Sequence, residues 1–125
     1  MYDRHIGQVS SVANIRDSQA ALQKTSNLEY TAFYGGYFLD YWGLPGVPSN
    51  MPHFTMVLDI VNNAAAIPGS GNVPVIFTHT RDIARLVAAS LNLEKWDPES
   101  YVMGDRLTFN EALRLAEEVK GKLNR

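Results

Sequence analysis

Two amphipathic segments, each preceded by a short apolar run, constrain the fold of this sequence most. Beyond Thr80 apolar residues recur at i, i+3, i+4 and i+8, a spacing that predicts a helix with one buried face. Thr108 and Glu111 match the Thr-x-x-Glu pattern of a helical capping box. We expect Thr80 to cap the first helix and Gly121 to follow the last residue of the second. The predicted apolar stripes are Ile83, Leu86, Val87 and Leu91, then Phe109, Ala112, Leu113, Ala116 and Val119.

Predicted strands alternate with the predicted helices along the chain. Residues 73–78 favour a strand, and Pro74 places its beginning at a sheet edge or a strand end. A further helix is predicted at residues 14–24 and an aromatic-rich strand at residues 28–34. Alternation of this kind indicates an α/β fold. Shorter extended segments are predicted at residues 54–60, 63–67 and 101–103, and turns at residues 25–27 and 68–72.

Composition excludes several classes of protein. The chain has 125 residues and no cysteine, which excludes disulfides, a thiolate nucleophile and a thiolate zinc site. A net charge of −2 without any lysine or arginine run argues against a nucleic-acid partner. The apolar runs are far shorter than the roughly 20 residues that span a bilayer, and the first residues lack the apolar segment of a signal peptide. We therefore expect no membrane partner and a reduced, cytoplasmic setting.

Ionisable residues form no recognisable motif by spacing alone. His5, His53 and His79 are far apart and include no i, i+4 pair, so no metal site is predicted. Nothing in the spacing of Asp40 and Asp59 supports a catalytic carboxylate pair, and no Tyr-x-x-x-Lys motif occurs. The residue types alone therefore assign no catalytic chemistry.

Three segments in order resemble one known family. They are residues 28–41 (LEYTAFYGGYFLDY), 77–84 (FTHTRDIA) and 103–111 (MGDRLTFNE). Together they resemble the NmrA-like and isoflavone reductase-like proteins of fungal type, which are atypical short-chain dehydrogenases/reductases. The resemblance covers the chain from about residue 14 onward.

The resemblance implies a partial Rossmann-type NAD(P)-binding fold of the α/β class. Family members open with a strand, a G-x-x-G-x-x-G loop and a helix that hold the pyrophosphate. Gly69-Ser70-Gly71 lacks the third glycine and precedes a strand instead of following one, so we interpret it as a turn. Residues 1–125 are interpreted as a single domain or fragment that corresponds to the C-terminal half of an NmrA-like NAD(P)-binding domain, without the glycine-rich βαβ unit.

The resemblance also implies site residues. Arg16 occupies the position at which isoflavone reductase-like enzymes carry a lysine acid or base, and arginine stays protonated in proteins. The segment after the predicted strand is where the family places its nicotinamide and substrate contacts. Its implied cofactor-binding residues are Tyr34, Gly35, Gly36 and Phe38, and its implied substrate-binding residues are Tyr37 and, from the proline-rich loop that begins at Gly43, His53.

The function implied by the resemblance is part of an NAD(P)-dependent oxidoreductase acting on a small-molecule substrate. The cofactor would be NADP(H) or NAD(H), which we expect the chain not to bind alone because the phosphate-binding loop is missing. One alternative is a dinucleotide-sensing regulator that performs no chemistry. Another is an interaction module that forms homo-oligomers through an unpaired sheet edge.

Overall fold

A computed structural model describes residues 10–43 and 45–123 of the chain, and the side chains of residues 13–43 and 45–121. Four helices and seven short strands lie in these ranges. The helices are α1 (Ser10–Gln23), α2 (Asp40–Gly43), α3 (Thr80–Ser90) and α4 (Phe109–Leu123). The strands are β1 (Ala32–Tyr34), β2 (Tyr37–Phe38), β3 (Leu58–Asp59), β4 (Ala64–Ala65), β5 (Pro74–Thr78), β6 (Glu99–Tyr101) and β7 (Asp105–Thr108). No helix in this part of the chain is both long and apolar enough to cross a membrane.

The chain divides into two compact units. The first comprises the described part of Met1–Ala32 together with Leu93–Ser100, and the second comprises Phe33–Asn92 and the described part of Tyr101–Arg125. In the first unit the predicted helix is confirmed as α1. Side-chain bonds join its two segments, since the hydroxyls of Thr31 and Ser100 lie 2.8 Å apart.

The predicted strand at residues 28–34 is shorter in the structure. Only β1 is extended and paired, and its partner is the three-residue strand β6. A strand exists only where a neighbouring strand satisfies its backbone groups. Residues 28–31 are instead held by separate contacts, such as the bond that the Trp96 amide donates to the Glu29 carboxylate. The aromatic composition of residues 28–34 therefore predicted a longer strand than the structure contains.

A three-stranded sheet of order β2-β5-β7 organises the second unit. β2 runs parallel to β5, with Tyr37 opposite Phe77, whereas β7 runs antiparallel to β5, with Arg106 opposite Ile76. The strand predicted at residues 73–78 is confirmed as the central strand β5. Pro74 is its first residue, a position at which proline is tolerated within a sheet.

An aromatic cluster packs around the central strand. Phe77 is completely buried, and the rings of Tyr37, Trp42 and Phe109 lie 5.5, 4.9 and 5.8 Å from it, centroid to centroid. Most of these pairs meet edge to face or tilted, an arrangement that aromatic rings prefer. These rings form the main apolar core of the second unit and join β2, α2, β5 and α4.

Helix α3 begins one residue earlier than expected. His79 is its N-cap, and the His79 Nδ1 accepts a 3.2 Å bond from the Arg81 amide. The expectation that Thr80 caps the helix is wrong because the Thr80 hydroxyl instead donates to Asp40. The predicted buried face is also wrong in part. Leu86 and Leu91 of that stripe are 47% and 71% exposed, and α3 contains no fully buried residue.

Helix α4 begins with the predicted capping box. The Glu111 carboxylate accepts a 2.8 Å bond from the Thr108 amide, and the Glu111 amide donates a 3.1 Å bond to the Thr108 hydroxyl. Gly121 does not end the helix, which continues to Leu123. Glycine lowers helix stability by about 1 kcal/mol relative to alanine but does not force a helix to end. Ala112 is buried whereas Val119 is exposed, so only the first part of the predicted stripe packs.

The two extended segments predicted at residues 54–60 and 63–67 form a short hairpin. β3 and β4 are antiparallel, with Leu58 opposite Ala65 and Asp59 opposite Ala64. Each strand is only two residues long. Their existence is confirmed, but their predicted length is not.

Candidate functional site

The carboxyl ends of β2 and β5 meet at one edge of the sheet because these two strands are parallel. Asp40 follows β2 after one residue, and His79 and Thr80 follow β5 directly. The Leu39 amide continues the pairing by donating a 3.2 Å bond to the Thr78 carbonyl. In open α/β sheets, ligands bind at the carboxyl ends of the strands. This edge is therefore the candidate site.

Asp40 is the centre of the polar network at this edge. Its side chain is completely buried, and its carboxylate accepts bonds from the Thr80 amide at 2.8 Å, the Thr80 hydroxyl at 2.6 Å and the Ser49 hydroxyl. Burial alone would raise the pKa of this carboxyl, but the bonds from Ser49 and Thr80 outweigh it and lower the pKa below the ordinary value. Asp40 is therefore a buried carboxylate held by three donors, at the positive end of α3.

His79 lies beside this carboxylate in a defined tautomer. Its Nδ1 accepts from the Arg81 amide, so in the neutral ring the proton resides on Nε2. Nε2 is 3.7 Å from the Asp40 carboxylate, too far for a hydrogen bond, and is buried without a hydrogen-bond partner. The side chain retains 15% of its exposure. The imidazole thus combines one satisfied nitrogen with one unsatisfied N–H beside a buried carboxylate.

The hydroxyl of Tyr37, an implied substrate-binding residue, forms a hydrogen bond within the protein. It donates a 2.5 Å bond to the Met56 carbonyl. Burial, and secondarily the neighbouring Tyr41, raises the pKa of Tyr37 to about 12. This phenol therefore stays protonated at neutral pH and holds the loop before β3 against the aromatic core. A substrate contact at Tyr37 stays a prediction.

The implied cofactor residues run from the last residue of β1 to the last residue of β2. Gly36 has a φ of +68°, and a Cβ there would lie 2.3 Å from the Ile76 carbonyl oxygen. A Cβ on Gly35 would lie 2.5 Å from the side chain of Ile83. Gly36 is therefore required by its close approach to the β5 backbone, whereas a Cβ at position 35 would only displace the flexible end of the Ile83 side chain. The backbone approach to a ligand that the glycines were expected to permit stays a prediction.

The aromatic residues that flank this glycine pair have neighbours within the protein. The ring of Tyr34 stacks on that of Tyr101 at 5.3 Å, and Phe38 lies against Tyr41 at 6.1 Å, centroid to centroid. Tyr34 remains partly exposed and Phe38 is half-buried. The four implied cofactor residues are thus close together because they are neighbours in the sequence, and both aromatic rings already contact other tyrosines.

The remaining implied site residues are Arg16 and His53. Arg16 is exposed on α1 and belongs to the first unit, whereas the other implied residues belong to the second. His53 is exposed and lines a small cavity of about 60 Å³ beside the β3–β4 hairpin. Among the described side chains, no three metal-ligating residues lie close enough together to hold an ion. His5 lies outside the described residues.

The buried network of Asp40, Ser49, His79 and Thr80 was missed by reasoning from sequence. The sequence signal that could have found it is an aspartate one residue after one strand and a His-Thr pair directly after another. Since parallel strands end at the same edge, these side chains meet only if β2 and β5 are parallel neighbours. Sequence alone does not establish that pairing.

Comparison with known proteins supplies a functional class. Oxidoreductase BOA1 of Botryotinia fuckeliana is 43% identical over 101 residues, which are 81% of this chain and 33% of that protein. Oxidoreductases swnN and swnR of Metarhizium robertsii are 29% and 33% identical over 110 and 102 residues, or 85% and 76% of this chain and 32% of each relative. No protein-family model and no solved structure matches. Over most of its length, the chain is therefore similar to proteins named oxidoreductases, and it spans about a third of their length.

Proposed function

We propose that this chain is part of an NAD(P)H-dependent oxidoreductase of the NmrA-like and isoflavone reductase-like family, with a partial Rossmann-type α/β fold. Its similarity to relatives that are named oxidoreductases carries this proposal. The ordered segments at residues 28–41, 77–84 and 103–111 support the family. The chain would contribute the nicotinamide and substrate side of the site to a longer protein.

The parallel pairing of β2 and β5 supports the proposed location of the site. Phe38 is the last residue of β2 and lies at the carboxyl edge of this sheet, where an open α/β fold binds ligands, whereas Gly35 and Gly36 precede β2. In the proposed role, Tyr34, Gly35, Gly36 and Phe38 contact the nicotinamide end of the cofactor. Tyr37 and His53 contact the small-molecule substrate.

The chain by itself does not fit a whole dinucleotide. The sequence contains no G-x-x-G-x-x-G loop to hold a pyrophosphate, and the open sides of Gly35 and Gly36 are filled by Ile83 and Ile76. We therefore expect tight cofactor binding only when the chain is joined to a segment that holds the phosphates.

A segment exchange tests the proposal. The third of BOA1 that matches this chain is replaced by the chain, and NADPH binding is measured by nicotinamide fluorescence for the chimera, unchanged BOA1 and the chain alone. We expect binding by the chimera and none by the chain up to millimolar NADPH. Micromolar binding by the chain alone would overturn the fragment proposal. A folded chimera that does not bind, beside a BOA1 that does, would overturn the proposed role.

A second candidate function is a dinucleotide-sensing regulator without chemistry. Arg16 favours it, because this residue occupies the family's lysine position and a guanidinium cannot act as a base. The chimera would then bind NADPH without oxidising it in the presence of enones or quinones. An Arg16→Lys chimera that gains NADPH oxidation would indicate that this position limits the reaction. Oxidation by the unmodified chimera would exclude the regulator.

A further inference from the structure

A cavity of about 420 Å³ lies between the β3–β4 hairpin and α4, away from the Asp40 network. We call it the hairpin cavity. Its volume falls within the range of small-molecule sites, roughly 300–1,000 Å³. Six of its ten lining residues are apolar, among them Leu58, Leu113 and Ala116, and the others are polar or charged. An apolar floor with a few polar groups is the usual composition of a ligand pocket.

Hydrogen bonds hold both ends of the hairpin in place. At its turn, the Lys120 ammonium of α4 donates to the Val61 carbonyl at 3.1 Å and to the Asn63 side-chain oxygen at 2.6 Å. At its base, Val57 is the centre of a γ-turn, with a φ of +64° and a 2.7 Å bond from the Leu58 amide to the Met56 carbonyl. This turn is rare and strained for a β-branched residue. Both ends of the hairpin beside the cavity are therefore fixed by contacts within the protein.

The charges around the hairpin cavity favour one class of ligand. Asp59 and Glu117 contribute two carboxylates, and Lys120 contributes one ammonium that already donates to two oxygens. Bonds from the Asn62 side chain and amide lower the pKa of Asp59, so this group stays ionised at neutral pH. Over the described lining residues the formal charge is therefore −1, so these residues would repel a bound anion and attract an ammonium.

We propose that the hairpin cavity binds a small organic cation, with its apolar body on Leu58, Leu113 and Ala116 and its ammonium group towards Asp59 and Glu117. The size of the cavity suits one or two rings with a short side chain. Binding requires no dinucleotide. This proposal is therefore independent of the proposed oxidoreductase function.

Three probes of nearly equal shape test this proposal on the 125-residue chain. They are 2-phenylethylamine, its neutral analogue 2-phenylethanol and the anion 3-phenylpropionate, each titrated while methyl and amide NMR shifts are recorded. We expect the amine to bind about threefold more tightly than the alcohol and about tenfold more tightly than the anion, as partly exposed charges allow. The shifted methyl signals should include those of Leu113 and Ala116. Equal or tighter binding of the anion, or shifts confined to other regions, would overturn the proposal.

Variants of α4 distinguish binding in the hairpin cavity from attraction of the amine by the general surface charge. Glu117→Gln should abolish the preference for the amine over the alcohol, whereas Glu118→Gln, the same change at an exposed neighbour outside the lining, should retain it. Ala116→Leu should fill the cavity and weaken all three probes. Should Ala116→Leu not fold, Ala64→Leu on the hairpin makes the same test from the opposite wall. Unchanged binding in a folded cavity-filling variant, or an equal effect of the two glutamate changes, would refute the assignment.

Discussion

Removing the charge of Asp40 tests the structural account of the sheet edge most directly. Its buried carboxylate accepts bonds from the Thr80 amide, the Thr80 hydroxyl and the Ser49 hydroxyl. These donors belong to the beginning of α3 and to the proline-rich loop, which are otherwise distant in sequence from β2. Asp40→Asn and Asp40→Ala should therefore destabilise the second unit by different amounts.

The expected magnitudes follow from the partners that each change leaves unsatisfied. In Asp40→Ala, the Thr80 amide loses its acceptor, at a cost of about 1–3 kcal/mol, and two hydroxyls lose charge-assisted bonds, so about 3 kcal/mol is expected in total. In Asp40→Asn, the amide oxygen keeps one donor and a hydroxyl can rotate to accept from the new NH₂ group. The expected cost is then about 1.5 kcal/mol. Asp82→Asn is the matched control at an exposed ion pair on α3, with an expected cost of roughly 0.5 kcal/mol.

The shifted pKa of Asp40 determines how the stability of the folded state should change with pH. The folded pKa of Asp40 is lower than the ordinary value, so its carboxylate stabilises the folded state above the ordinary aspartate pKa of about 3.9. This stabilisation is lost as the pH falls towards the folded pKa. The difference in unfolding free energy between the wild type and Asp40→Asn should therefore shrink as the pH falls from 7 to about 3.

Urea unfolding followed by tryptophan fluorescence measures these differences, since Trp42 packs against Phe77 in the same unit. Two results would refute the reasoning. The first is an Asp40→Asn variant no less stable than Asp82→Asn at neutral pH. The second is a difference from the wild type that stays constant down to pH 3.

Three further changes test other parts of the fold. Thr108→Ala should cost about 1 kcal/mol because the capping box loses its hydroxyl, and Thr108→Ser should retain most of the stability in the same urea assay; equal loss in both variants would contradict this. Gly36→Ala should cost about 3 kcal/mol, since its Cβ would overlap the backbone of β5, whereas Gly69→Ala, at a similar positive φ but with no atom within 4 Å, should cost only about 1 kcal/mol; equal costs would argue against the close packing at Gly36. An ultraviolet absorbance titration should show that Tyr37 ionises well above pH 10, because its pKa is raised from 10.0 to about 12. Protonated Tyr37 stabilises the folded state below pH 10, and this stabilisation is lost as the pH rises towards 12. Tyr37→Phe, which also loses the bond to Met56, should remove this dependence of stability on alkaline pH.

The parts of the fold that were predicted correctly depend on residues close together in sequence. The capping box joins two residues three positions apart, and its geometry is confirmed to the level of single bonds. The helix α1 and the central strand β5 are also confirmed. Strand lengths were overestimated at residues 28–34 and 54–67 because a strand extends only as far as its partner, and the partner lies elsewhere in the chain.

The candidate site could be predicted only in part. The segment from Tyr34 to Phe38 was assigned from a resemblance, and its contacts with a cofactor or substrate stay predictions. Asp40 was considered only as a partner of Asp59, because its partners in the structure, Ser49 and Thr80, are 9 and 40 residues away along the chain. The prediction that Leu86 and Leu91 are buried was also wrong, because periodicity identifies an apolar face but does not show whether another element covers it.

The sequence by itself determined where the principal helices and the central strand form, since capping pairs and apolar periodicity act over only a few residues. It also determined that no thiol chemistry is available, because the chain contains no cysteine. Only the tertiary structure decided that β2 and β5 are parallel neighbours, and with it the burial of Asp40 beside His79. It also decided that the hairpin and α4 line one open cavity, with Asp59 and Glu117 among its lining residues. Such features depend on contacts between distant segments, and the free energy of those contacts is defined only once the chain has folded.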